Sequence, residues 1–71
     1  MKDISRSDVE QAISEWIIGK NAERDRAVLR RRLIDGVYYE ALAEEFDLSV
    51  TQVKRIVYKG SDKVFKHIGQ G

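Results

Sequence analysis

Residues 41–56 read Ala-Leu-Ala-Glu-Glu-Phe-Asp-Leu-Ser-Val-Thr-Gln-Val-Lys-Arg-Ile. Two short helical patterns flank a turn-prone Asp47-Leu48-Ser49, and helices joined through three residues cannot run parallel. They are expected to cross steeply, with Leu42, Phe46, Leu48, Val53 and Ile56 filling the angle and Ala43 small where the helices touch. This stretch fixes the fold class: all-α, three to four short helices (five if the last one breaks at Gly60), with the paired helices at about residues 39–59.

The rest of the chain offers nothing that competes. Seventy-one residues make one domain at most, near the lower size at which a chain folds alone. There is no cysteine and one histidine, His67, so neither a disulfide framework nor a metal site is expected. No nucleophile–base pair or glycine-rich phosphate loop is legible, so no catalytic residue, cofactor or enzymatic activity is expected. The longest apolar run, Trp16-Ile17-Ile18, is far too short to span a membrane. The first residues lack the order of an export signal, and the expected location is the cytoplasm, on the nucleoid. Net charge is +1 but unevenly spread. Residues 48–71 hold five basic side chains (Lys54, Arg55, Lys59, Lys63, Lys66) against Asp62 alone, whereas residues 1–23 hold three basic and five acidic ones.

Four helical patterns are legible. The first, residues 8–18, opens on a Ser7-x-x-Glu10 capping box and carries Val9, Ala12, Ile13, Trp16 and Ile17 on one stripe, with Gly19 as terminator. Asn21 is placed to cap a second helix over 22–35 that ends at Gly36. Ala22, Leu29 and Leu33 make one of its apolar edges and Ala27 with Ile34 the other, the pattern of a central helix. Arg30-Arg31-Arg32 reads as a solvated ridge, with Asp35 in reach of Arg31; contact with phosphate, by Arg32 above all, is the functional alternative. The third helix runs from Tyr38 to Phe46, and Tyr38 and Tyr39 read as core or edge-packing aromatics. Ser49 caps the fourth, which starts at Val50 and turns Val53, Ile56 and Val57 inward. Its phase continues through Gly60 and Val64 to His67 and Ile68, which favours one long helix; the competing reading is a break at Lys59-Gly60-Ser61 with Ser61 as a new cap. Residues 69–71 are expected to fray.

Helices paired in this way form a helix-turn-helix unit, whose second helix suits the major groove of DNA. Arg24-Asp-Arg-Ala-Val-Leu-Arg-Arg-Arg-Leu-Ile-Asp-Gly36, followed by Tyr39-Glu-Ala-Leu-Ala-Glu-Glu-Phe-Asp-Leu-Ser-Val-Thr-Gln-Val-Lys-Arg-Ile56, resembles the C-terminal DNA-reading domain (region four) of bacterial sigma factors and the related small regulators of phages and mobile elements. The likeness covers residues 24–64 most clearly, within a portion spanning 22–68, and leaves out the acidic first helix. Two positions depart from it: Arg31, where the family has an apolar residue, and Asp47, where glycine is common at the turn. The resemblance implies double-stranded DNA as partner and a role as a bacterial or phage transcriptional regulator.

With Val53, Ile56, Val57 and Gly60 inward, a helix at 100° per residue turns Thr51, Arg55 and Tyr58 outward, flanked by Gln52, Lys54 and Lys59. Thr51, Gln52, Arg55 and Tyr58 are therefore the candidate base readers: arginine forks onto guanine, glutamine onto adenine, and threonine offers a hydroxyl and a methyl. Ser49, Lys54, Lys59 and Arg32 are the candidate phosphate contacts, with the positive helix end at Ser49–Thr51 adding to them. Asp62 shares the outward face and would repel phosphate, so the helix is expected to have left the groove there.

The rival reading is a protein-interaction module. Glu40, Glu44 and Glu45 do not welcome DNA, and Asp8, Glu10, Glu15 and Trp16 could dock the first helix on RNA polymerase or a phage assembly partner. A phage packaging subunit that binds DNA ends would show the same sequence features. A single module buries too little DNA to be both tight and selective, so a homodimer is expected if monomer binding is not weak, with Ile18, Val28 and Ile34 as the exposed apolar candidates for its face.

Overall fold

The computed structural model describes residues 5–68. Among them are four helices and no strand: α1 (Arg6–Trp16), α2 (Ala22–Leu33), α3 (Tyr39–Glu45) and α4 (Val50–Ile68). The fraying expected of residues 69–71 lies outside the described residues.

α1 begins two residues earlier than its sequence pattern implied. The capping box is Ser5 with Asp8, not Ser7 with Glu10: Ser5 Oγ accepts from the Asp8 N–H and Asp8 Oδ2 accepts from the Ser5 N–H, at 3.2 and 3.1 Å. Two overlapping serine–carboxylate tetrads were available, and the shorter aspartate closed the reciprocal pair. The helix also stops earlier, at Trp16. Ile17 takes an extended conformation that keeps its side chain buried, and Gly19, at φ +118°, makes the reversal two residues later. Trp16 is not part of the inward stripe. It stands 42% exposed and stacks on His67 near the end of α4, ring centroids 3.6 Å apart and planes 3° from parallel.

α2 starts after Asn21, whose side chain makes no capping bond, and gives way at Ile34 and Asp35 to a turn that Gly36 completes at φ +71°. It is central, as its two apolar edges imply, but the edges differ from those expected. Leu29 and Leu33 face one core together with Val9, Ala12, Ile13, Ile17 and Val64, and Ile34 packs there too. Val28 alone carries the other side, fully buried among Leu42, Ala43, Val53 and Val57. Ala27 is only half-buried. Of the three residues read as an exposed apolar face, Val28 is therefore core and Ile34 half-buried; Ile18 is 70% exposed.

α3 is shorter than expected, with Tyr38 at its N-cap position, exposed rather than packed, and Phe46 at its C-cap. The chain leaves α3 through Asp47 at φ +55°, the one non-glycine residue with positive φ among those described. The Leu48 N–H donates to the Ala43 carbonyl at 2.8 Å and the Asp47 N–H to the Glu44 carbonyl at 3.4 Å, the pair of bonds that closes a Schellman turn. Aspartate fills the place glycine usually takes because its short polar side chain tolerates the left-handed region.

α4 runs unbroken through Gly60, which is buried, so Ser61 caps nothing. The reason lies across the interface. A Cβ on Gly60 would meet Leu29 Cδ1 well inside contact distance, Cδ2 at 2.8 Å and Cγ at 3.0 Å. The glycine lets the backbone of α4 lie directly on Leu29. Val53 and Val57 seal the second core from the N-terminal half of α4, and Val64 seals the first from the C-terminal half. None of the described helices is long and apolar enough to cross a membrane.

Candidate nucleic-acid interface

The N-terminal half of α4 is amphipathic by construction. Val53 and Val57 are buried and Ile56 half-buried, while Thr51, Gln52, Lys54, Arg55, Tyr58 and Lys59 are exposed. Thr51, Lys54, Arg55, Tyr58 and Lys59 line one shallow surface hollow, so five of the eight residues singled out from sequence lie side by side on a single face. Lys54, Arg55 and Lys59 bring three cationic side chains to it.

Ser49 and Gln52 form a second capping box at the mouth of this helix. Ser49 Oγ accepts from the Gln52 N–H at 3.1 Å, and Gln52 Oε1 accepts from the Ser49 N–H at 3.0 Å. A glutamine forking onto adenine needs both its oxygen and its amide nitrogen, and here the oxygen already serves the helix end. In the free protein Ser49 and Gln52 fix where α4 begins and where its first N–H groups point.

Arg32 is likewise engaged within the fold. Its Nη1 donates to the Val37 carbonyl at 3.2 Å, across the link between α2 and α3, and its guanidinium carbon lies 4.6 Å from the centre of the Tyr39 ring. The same ring takes Lys54 Nζ at 5.8 Å and meets the Tyr58 ring edge-on at 6.3 Å. Tyr39 thus touches one side chain of α2 and two of α4. Spacing along the sequence gives no sign of this meeting, which exists only because the Gly36 turn brings the start of α3 beside the outer edge of α4.

The carboxylates of α3 are partly answered. Arg31 clasps Glu45 with Nη2 and Nε, at 2.9 and 3.0 Å to its two oxygens, and reaches Asp35 with Nη1 at 3.1 Å. Hydrogen bonds to Glu45 first and Asp35 second push the Arg31 guanidinium pKa up. The sequence pointed to Asp35; the bridge to Glu45 across two helices was not legible. It holds α3 to α2 from outside and neutralises a carboxylate near the turn. Glu40 and Glu44 remain on the exposed surface, as does Asp62, one turn beyond Tyr58.

On the opposite side, Arg26 Nε donates to the Ile17 carbonyl at 2.8 Å, and Arg30 Nη2 donates to Ser14 Oγ at 3.4 Å. Four of the five arginines of α2 are thereby divided: Arg26 and Arg30 fasten α1, Arg31 fastens α3, and Arg32 supports Tyr39. The ridge Arg30-Arg31-Arg32 stays at the partly exposed surface, with Asp35 paired to Arg31 as the sequence implies, and it also ties elements together. No protein-family model, curated protein or solved structure matches the chain.

Proposed function

We propose that the protein binds double-stranded DNA by laying the N-terminal half of α4 in the major groove, as a sequence-selective transcriptional regulator of the bacterial or phage type. The observation that carries this reading is the common face formed by Thr51, Lys54, Arg55, Tyr58 and Lys59, exposed on a helix whose other side is locked into two cores. Arg55 and Thr51 address base edges, with Tyr58 beside them; Lys54 and Lys59, flanking on either side, address phosphates. The α4 N-terminus, squared off by Ser49 and Gln52, adds a positive dipole end. The likeness to sigma region four supports the same use of this helix.

The test is a heteronuclear NMR titration with a short mixed-sequence duplex at low salt, repeated at higher salt. Shifts centred on residues 49–59 that weaken steeply with salt are the expected outcome, and Arg55→Ala is expected to weaken binding to a selected site by about 10- to 100-fold, the worth of one bidentate base contact. Shifts that avoid α4 would overturn the reading.

One observation favours a second reading. Trp16 and Ile18 are exposed at the end of α1, the helix that also exposes Glu10 and Glu15, which suits docking on a protein partner such as RNA polymerase. Under that reading Arg55→Ala leaves partner binding intact and Trp16→Ala removes it.

A further inference from the structure

We propose that Tyr39 is a positioning residue for the α4 face: its ring orders Lys54 and Tyr58 before DNA arrives. This inference rests on the DNA-binding reading of α4. Lysine on an exposed helix ordinarily samples many rotamers, and ordering it on binding opposes affinity. Here the Lys54 ammonium lies 5.8 Å from the centre of the Tyr39 ring, within the range in which an aromatic face attracts a cation. The Tyr58 ring meets Tyr39 edge-on, planes 87° apart and centroids 6.3 Å apart, a favoured geometry for two aromatic rings.

Tyr39 can do this because it is itself held. Arg32 lies over its ring, anchored to the Val37 carbonyl, and the ring packs against the core of Val28, Leu42, Ala43, Val53 and Val57. A rigid ring at the start of α3 therefore presents its surface to one edge of the reading helix. Lys54 and Tyr58 stand on that edge, and Lys59 stands beyond its reach on the other. The face is thus ordered on one side, which biases the phosphate grip toward the strand that Lys54 meets.

Duplex binding by fluorescence anisotropy, measured over a series of salt concentrations, tests the idea. Tyr39→Leu is expected to weaken binding about two- to tenfold, the ordering cost of a long side chain that the ring spares. The slope of log affinity against log salt should keep its wild-type value, because the Lys54 charge remains. Lys54→Ala, by contrast, should flatten that slope by about 0.9, one phosphate's share. Tyr39→Phe keeps the ring and should bind within about twofold of wild type. In a Lys54→Ala, Tyr58→Ala background, Tyr39→Leu should have no further effect; an equal loss there would mean that the ring only stabilises the fold, and would overturn the proposal. Wild-type binding by Tyr39→Leu would overturn it as well. Failure of the wild-type chain to bind duplex in a salt-sensitive way would instead overturn the DNA-binding reading, and the positioning role with it. In the free protein, the Lys54 side-chain protons nearest the ammonium should show an upfield ring-current shift that disappears in Tyr39→Leu; its absence from the wild type would also refute the arrangement.

Discussion

Gly60 decides how closely α2 and α4 approach, and it decides this against helix propensity. Alanine there would favour the helix by about 1 kcal/mol, but its Cβ would press on the side chain of Leu29, which is fully buried and would have to shift within the core. Overpacking of this kind costs about 1–3 kcal/mol. Gly60→Ala is expected to lower stability by about 1 kcal/mol net of the helix gain, and its thermal midpoint by about 4–8 °C in a domain this small. Pairing it with Leu29→Ala should cost less than the two separately, because the smaller side chain makes room. Thermal denaturation of the four variants checks both statements. The glycine was legible as a close-approach position, since the apolar phase ran through it unbroken. That Leu29 is what it touches was not, because the register between two helices distant in sequence depends on the turns between them. Asp47 was legible in the same partial way: sequence marked the turn, and only the backbone bonds from Leu48 and Asp47 identify its type.

At the scale of single helices, ends were harder to place than faces. α1 carried two serine–carboxylate tetrads in overlapping register, and nothing in their spacing said which would close. Ser49 has no rival as a cap, so the start of α4 at Val50 is legible in the sequence, whereas the bond from the Ser49 N–H to the Gln52 side chain is not. Ser49→Ala is expected to cost about 1 kcal/mol, with amide exchange accelerated at residues 50–52 and unchanged at residues 56–64. Exchange accelerated uniformly along α4 would mean that the cap does more than fix the helix end. The faces of α2 show the converse: periodicity revealed a two-sided helix, yet its phase put Ala27 where Val28 lies. The two positions differ by one 100° step, and a short helix with so few apolar residues per side does not fix its rotation that finely.

At the scale of the molecule, two cores share two helices. Leu29 and Val28 are neighbours in sequence and face opposite cores, and α4 crosses both. Unfolding one core would leave α2 and α4 with a stripped apolar face, so the two are expected to melt together. The chain has a single tryptophan, and Trp16 rests on His67 beside the first core, whereas far-ultraviolet circular dichroism averages over all four helices. Urea transitions followed by the two signals should coincide within error. A tryptophan transition that precedes the dichroism transition would show that α1 undocks as a separate unit. The overall class, an all-α bundle with α3 and α4 joined by a short turn, was readable because it depended on local periodicity. The Tyr39, Arg31 and Trp16 contacts were not, because each joins residues that only the assembled bundle brings together.

The continuity of α4 has a practical corollary for anyone wishing to transplant its exposed face. The stretch that looks portable, residues 39–59, ends in the middle of a helix whose remainder is seated on α1 and α2, and it leaves behind Val28, Arg31 and Arg32. Moved alone, it would carry Val53 and Val57 without the residue they close over, and Tyr39 without the guanidinium that lies over its ring. The smallest cassette that keeps those contacts runs from Ala22 to Ile68, and its exposed side would still need a cover for Leu29, Leu33 and Val64, which in this chain is α1.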